Sequence, residues 1–513
     1  MENYDIIICG GGHNGLTCGA YLTKAGLSVL VVERRPVVGG GVVTESIFSD
    51  KGFKVDLGGH AHALIQANPM ITDNELELDR FGLEYIYPEY LYGHPFLDGS
   101  YIIQSRDVNK TCDSLAKFSQ RDASSFLELY NLFLKFKDMI VTLLFSPPPP
   151  LSEMIKGLES SEDGRELLRI MLQSPIDFVN ERFENDKVKA WLYWWGLQIG
   201  GRPDQEGTAL LFMCLLTLVQ HFGFGYPKGG GGKLSEALAK YITSNGGTIR
   251  TNAKVKRVIV ENGRAKGIEL SDGEIIFAKK GIVSNIHLKL LFPEMVGREN
   301  VSSSFIKSVE RFKIGFSGFG IHLALNEALR FKVEEINKCS VFAVAESVSD
   351  VLENYDDIVK GNPFSKEPLV IGVCSTIDDP TRAPDGKHVL FLFRFVPYNI
   401  GNMKWKGARE KVAGDMMEKL KRYAPNMDDK NIIGKFIDDP VTIEARNPCM
   451  IRGDIFQGDI SLYQFGPMRP LIRFNYKMPV EGLYLCGPST HPGGSVTGGG
   501  RACAKAVLKD LGL

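Results

Sequence analysis

The stretch Ile6-Ile7-Ile8-Cys9-Gly10-Gly11-Gly12-His13-Asn14-Gly15 decides the fold. Its apolar residues predict a short buried strand, its glycines a tight turn, and His13 to about Lys24 a helix. Gly10, Gly12 and Gly15 stand at G-x-G-x-x-G spacing. A second apolar strand, Ser28–Glu33, ends on an acid eighteen residues beyond Gly15. Glycine spacing alone is common. Between a strand and a helix, with an acid closing the next strand, it marks a dinucleotide-binding β-α-β unit. Gly10 permits the turn, Gly12 lets a pyrophosphate approach the backbone, and Gly15 lets the helix pack on the strand. The helix N-terminus presents free N–H groups to the phosphates. Glu33 is placed to accept hydrogen bonds from an adenosine ribose.

Beyond Glu33, Arg34-Arg35-Pro36-Val37-Val38 leads into Gly39-Gly40-Gly41, and Asp56-Leu57-Gly58-Gly59-His60 follows. Further glycine loops here suit a cofactor longer than ADP, running along its pyrophosphate and ribityl chain. At the other end of the chain, the predicted strand Gly482–Cys486 runs into Gly487-Pro488. Thr490-His491-Pro492-Gly493-Gly494 and a predicted helix from about Val496 to Leu508 come next. That second open helix N-terminus is suited to stabilise negative charge on a flavin ring. No second complete G-x-G-x-x-G unit with its own acid is present, so a tightly held nicotinamide cofactor in addition is not expected.

The chain has 513 residues, 60 basic and 61 acidic side chains, and no long basic run. Its length implies several domains, and its charge argues against a nucleic-acid partner. The nine cysteines are dispersed, with no C-x-x-C pair and no Cys/His ligand spacing. They read as reduced thiols in a cytoplasmic protein, and no metal site is expected. The start, Met1-Glu2-Asn3-Tyr4-Asp5, is acidic and unlike a secretory leader. The most apolar run, Ala209–Val219, is too short to cross a bilayer, which leaves peripheral membrane contact open.

The fold class expected is α/β: a discontinuous Rossmann-type domain, a helical cap and a mixed-sheet substrate domain. Residues 1–110, 226–300 and 441–513 are assigned to the nucleotide-binding domain, 111–225 to the cap, and 301–440 to the substrate domain. Trp191, Trp194, Trp195 and the run Ala209–Val219 read either as helical core or as the wall of an apolar cavity. Gly229–Gly232 opens a helix expected beside the cofactor. It is not a P-loop, because Pro227 stands at the required first glycine and Leu234 at the magnesium-binding Ser/Thr.

Over essentially its whole length the sequence resembles the phytoene desaturase branch of the flavin-containing amine oxidase superfamily. The likeness rests on Gly10–Leu16, Glu33 with Gly39-Gly40, Gly229-Gly230, Arg452-Gly453-Asp454-Ile455-Phe456-Gln457-Gly458-Asp459, and Thr490–Gly494. It implies FAD bound in extended form, contacted by Gly10, Gly12, Gly15, Glu33, Gly40, Val255, Gly487 and Val496. Arg34 and Gly41 adjoin these contacts and are counted with the site. Carotenoid members carry an Arg after the second glycine pair, where Gly41-Val42-Val43 stands here; that argues against a carotenoid substrate more than against FAD. The implied reaction is hydride transfer to the flavin from a C–H bond of a hydrophobic, isoprenoid-like small molecule. Saturation, double-bond isomerisation, and FAD binding without turnover stay open as alternatives. His60, His62 and His491 are the candidate proton acceptors, or else they hold loops by hydrogen bonds. No signal for an oligomeric state is present.

Overall fold

The computed structural model describes residues 4–49, 52–471 and 475–513; Met1–Asn3, at the acidic start, lie outside the described residues. Strand Tyr4–Cys9 sits at the centre of a parallel sheet. The order is Thr248–Arg250, Val29–Val32, Tyr4–Cys9, Ile275–Ser284, Leu483–Leu485. Its strands thus come from three distant parts of the chain, as a discontinuous Rossmann-type fold requires. Ile6 and Ile8 join one core, while Ile7 and Cys9 join the core on the opposite face. That two-sided burial explains why the strand is apolar without alternation. Helices His13–Lys24, Gly232–Ser244 and Gly500–Asp510 pack together on the first face. Strand Ile275–Ser284 serves twice. Ala278 and Gly281–Ser284 pair with the central strand, and Ile275–Phe277 continue into an antiparallel meander with Arg264–Leu270 and Val255–Glu261.

A second, mixed sheet runs Ile432–Asp438, Ser317–Leu325, His388–Val396, Val370–Val373, Val341–Val344, Tyr90–Pro95, Tyr101–Ser105. The final hairpin lies within the 1–110 segment assigned to nucleotide binding, yet it hydrogen-bonds to Val341–Val344 in the second sheet. Alternate side chains divide this sheet into two faces. Phe319, Ile321, Leu323, Leu390 and Leu392 pack with helix Trp405–Lys421 on one side. Val341, Ile371 and Phe395 meet the helical region on the other.

That helical region comprises Gln120–Phe145, Leu151–Glu159, Glu162–Leu172, Pro175–Arg182, Asp186–Leu197 and Ala209–Phe222. Ser119, Ser161, Ser174 and Asn185 cap four of its helices by accepting backbone N–H bonds. Among the described residues no helix is long and apolar enough to cross a membrane. The last helix begins at Gly500 rather than near Val496, because Ser495 and Gly498 hold positive φ angles of 81° and 64°. Those conformations cannot continue a right-handed helix.

Candidate functional site

A cavity of about 750 Å³ runs from the N-terminal glycine turn to the helix-facing side of the second sheet. Gly10, Gly12, Glu33, Arg34 and Val255 line its nucleotide end. Gly40, Gly41 and Val496 line its middle. Gly15 and Gly487 lie behind the wall. A Cβ on Gly15 would stand 2.4 Å from the Gly10 carbonyl oxygen, so this glycine serves close packing of helix on strand. Gly487, at φ +91°, makes room for Asn285, whose Oδ1 a Cβ there would meet at 2.2 Å.

Glu33 braces the turn. Its Oε2 accepts the Gly11 N–H at 2.9 Å and its Oε1 accepts the Arg35 N–H at 2.9 Å. Asn285 follows the long strand and touches both terminal motifs, its Nδ2 reaching the Gly10 carbonyl at 3.4 Å. Its Oδ1 is buried without a partner, as are Asn14 Oδ1 and His13 Nε2, and all three residues line the cavity. An acid for the ribose, a glycine cradle, an open helix N-terminus and unpartnered polar atoms together fit the extended form of FAD. Sequence reading missed Asn285. Its signal was its place at the carboxyl end of a parallel strand, where ligands of open α/β sheets bind.

Of the three candidate histidines, His60 lines the cavity. Its ring stacks on Phe391 with centroids 3.7 Å apart, and His322 lies 5.8 Å away. Burial, then the neighbouring His322 and Arg382, hold its pKa well below the usual imidazole value. His322 Nε2 is 3.9 Å from Asp438 Oδ2, and Asp438 accepts from Arg446 Nη1 at 2.9 Å. His62 lies behind the wall, its Nδ1 3.0 Å from the Tyr85 hydroxyl, with its pKa lowered to about 3 by burial. His491 also lies behind it. Its Nε2 donates to the Leu143 carbonyl at 2.6 Å, and burial takes it down to about 4.

One expectation changes and one alternative is resolved. The Gly229–Gly232 turn lies off the cavity. Its N–H groups are taken by Asp379 at 2.7 Å, Asp56 at 2.9 Å and Thr44 Oγ1 at 2.9 Å. Helix Ala209–Phe222 also supplies no wall residue and lies in the core among the other helices. The apolar walls are Phe391, Phe393 and Phe395 from one strand, Ile371 from its neighbour, Val341 from the strand beyond that, and Trp194 from the helical region. The triple phenylalanine was legible as a period-two stripe in His388–Val396.

Residues 15–294 match the family described as flavin containing amine oxidoreductase. The chain is 31% identical to one subunit of the limonene dehydrogenase of Castellaniella defragrans, over 100% of this chain and 96% of that protein. It is 24% identical to the lycopene-forming phytoene desaturase of Pseudescherichia vulneris, over 98% and 99% of the two chains. The crystal structure of an oxidoreductase from Methanosarcina mazei shares the fold, with a TM-score of 0.64 and 18% identity over 99% of this chain and 100% of that one.

Proposed function

Because this chain belongs to the flavin-containing amine oxidoreductase family, we propose that it dehydrogenates an apolar, isoprenoid-like substrate at a C–H bond. Its class, an oxidoreductase with FAD as cofactor, follows from the family. The substrate class rests on one observation: the nucleotide groove continues without a break into a chamber walled by Phe391, Phe393, Phe395, Val341 and Ile371. Such walls select by shape and apolar area, at roughly 25 cal/mol per Å² buried. The names of two relatives, a limonene dehydrogenase and a phytoene desaturase, agree with a hydrocarbon-like donor.

FAD supplies a two-electron acceptor when bound. The protein's own residues do the rest. The aromatic wall keeps water from the reacting carbon. His60 faces the chamber with its Nε2 buried and unpartnered, so we assign to it the proton released from the substrate. Phe391 fixes its ring. His62 and His491 are assigned to holding loops through Tyr85 and Leu143. The test is anaerobic addition of isoprenoids, limonene and phytoene among them, to the yellow holoprotein. Loss of the visible flavin absorption and a product two hydrogens lighter are expected. Bleaching by benzylamine, with no response to any isoprenoid, would overturn the reading.

A further inference from the structure

The chamber is not apolar throughout. Trp194 Nε1 and Gln198 Nε2 are both buried without a hydrogen-bond partner, and both residues line the cavity. Helix Asp186–Leu197 carries the first, and Gln198 caps its C-terminal end. They are four positions apart, so both side chains project from one side of the helix. Trp194 is 2% exposed. Its ring stacks on Tyr92 with centroids 4.0 Å apart and meets Trp195 edge-on at 5.0 Å. Tyr92 is fixed in turn by its hydroxyl, 3.0 Å from His94 Nδ1, and His94 Nε2 donates to the Ala345 carbonyl at 2.8 Å. The indole N–H is therefore held in place by a chain of contacts that ends in the second sheet.

Leaving two buried donors unpaired carries the desolvation penalty of both with nothing to offset it. A ligand that brings an acceptor would complete these two, which line the cavity as the equally unpaired Trp191 and Trp195 indoles do not. We propose that Trp194 and Gln198 form a subsite for a neutral oxygen, a carbonyl or hydroxyl, on an otherwise apolar substrate. A carboxylate is disfavoured, because the charged wall residues lie elsewhere. Arg34, Arg35, Lys254 and Lys256 belong to the nucleotide end, and Arg446 is engaged by Asp438. A buried carboxylate facing only neutral donors would lack a countercharge.

Position supports the assignment. His322 stands on strand Ser317–Leu325, whereas Tyr92, beneath Trp194, stands on Tyr90–Pro95. Four strand-to-strand steps of about 4.8 Å separate them, roughly 19 Å across the sheet. The donor pair thus marks the end of the chamber far from His60 and His322.

The inference rests on reading this cavity as the substrate chamber, and limonene and carvone separate the two. Carvone is limonene with one ring methylene replaced by a carbonyl. Binding of each to FAD-loaded protein is measured by equilibrium dialysis, with the flavin spectrum as the check on folding. Trp194→Phe, which keeps the stack on Tyr92, and Gln198→Leu should each weaken carvone binding by about threefold to tenfold, the scale of one hydrogen bond. Gln198→Leu should leave limonene binding within about twofold, since no hydrogen bond is lost, and Trp194→Phe, which also trims the apolar wall, should weaken carvone more than limonene by that same threefold to tenfold factor. Limonene bound and carvone unaffected by both variants would overturn the donor subsite alone. Failure of both terpenes to bind the wild-type protein would overturn the chamber reading and the subsite with it.

Discussion

Replacing Glu33 by Ala tests whether the N-terminal motif carries the cofactor. The carboxylate ties the end of strand Val29–Val32 to the glycine turn through Gly11 N–H and Arg35 N–H, each at 2.9 Å. Its remaining lone pairs face the cavity, where the adenosine ribose belongs. Alanine strips both N–H groups of their acceptor. Gly11 is buried and Arg35 is half-buried, so water replaces the second bond more readily than the first. Hydrogen bonds to a charged group contribute about 1.5–3 kcal/mol each. The apoprotein should therefore lose about 2–4 kcal/mol, discounting the more exposed bond. Loss of the ribose contacts should weaken FAD by a further 1–3 kcal/mol or so, roughly fivefold to 150-fold. Glu33→Gln should fall between, because its amide oxygen can take one N–H while its NH2 group opposes the other. FAD retention is followed by ultrafiltration and released-flavin fluorescence, and stability by melting of apo and holo forms. Glu33→Ala protein that holds FAD as tightly as wild type would refute the reasoning.

Two further outcomes follow from burial. Leu216, 0% exposed in helix Ala209–Phe222, should not tolerate Asp: the lost packing and the unpaired carboxylate together cost more than about 4 kcal/mol. Leu215→Asp, at a half-buried site, should be milder, and equal melting temperatures for the two variants would place the helix outside the core. The protein should also be acid-labile. Burial holds His13 and His491 at about 4 and His62 at about 3, whereas the unfolded chain protonates histidine near 6.5. Between pH 6.5 and 4 or so the unfolded state binds more protons, so stability falls with pH by up to about 1.4 kcal/mol per unit for each histidine. Asp454, pushed up to about 6 by burial, works in the opposite direction below that pH. An acid-unfolding midpoint above about pH 4 is expected by circular dichroism, and a chain unchanged down to that pH would contradict these buried neutral imidazoles.

What was legible in the chain was what its local spacing encodes. The first β-α-β unit needs only residues 4–33, and helix His13–Lys24 has the bounds its pattern implied. Glycines two and then three positions apart mean the same thing in any such turn. Other features depended on partners far along the chain. The hairpin Tyr90–Ser105 alternates like any strand pair, and only its parallel neighbour, Val341–Val344, assigns it to the second sheet. His60 and His62 stand two residues apart in an irregular loop, where no period says which ring faces the cavity. Phe391 settles that by stacking on His60, from more than three hundred residues away. The run Ala209–Val219 is apolar on nearly all faces, which suits a core helix and a cavity wall alike. The helix packs in the core it shares with the other helices, and the helical region's share of the wall falls to Trp194 and Gln198 instead. Those two carry polar atoms, and an unsatisfied polar atom facing an apolar chamber is a stronger mark of ligand contact than apolarity itself. Apolar side chains bury themselves wherever the fold allows, whereas a donor left without an acceptor in a packed interior is costly unless a ligand completes it.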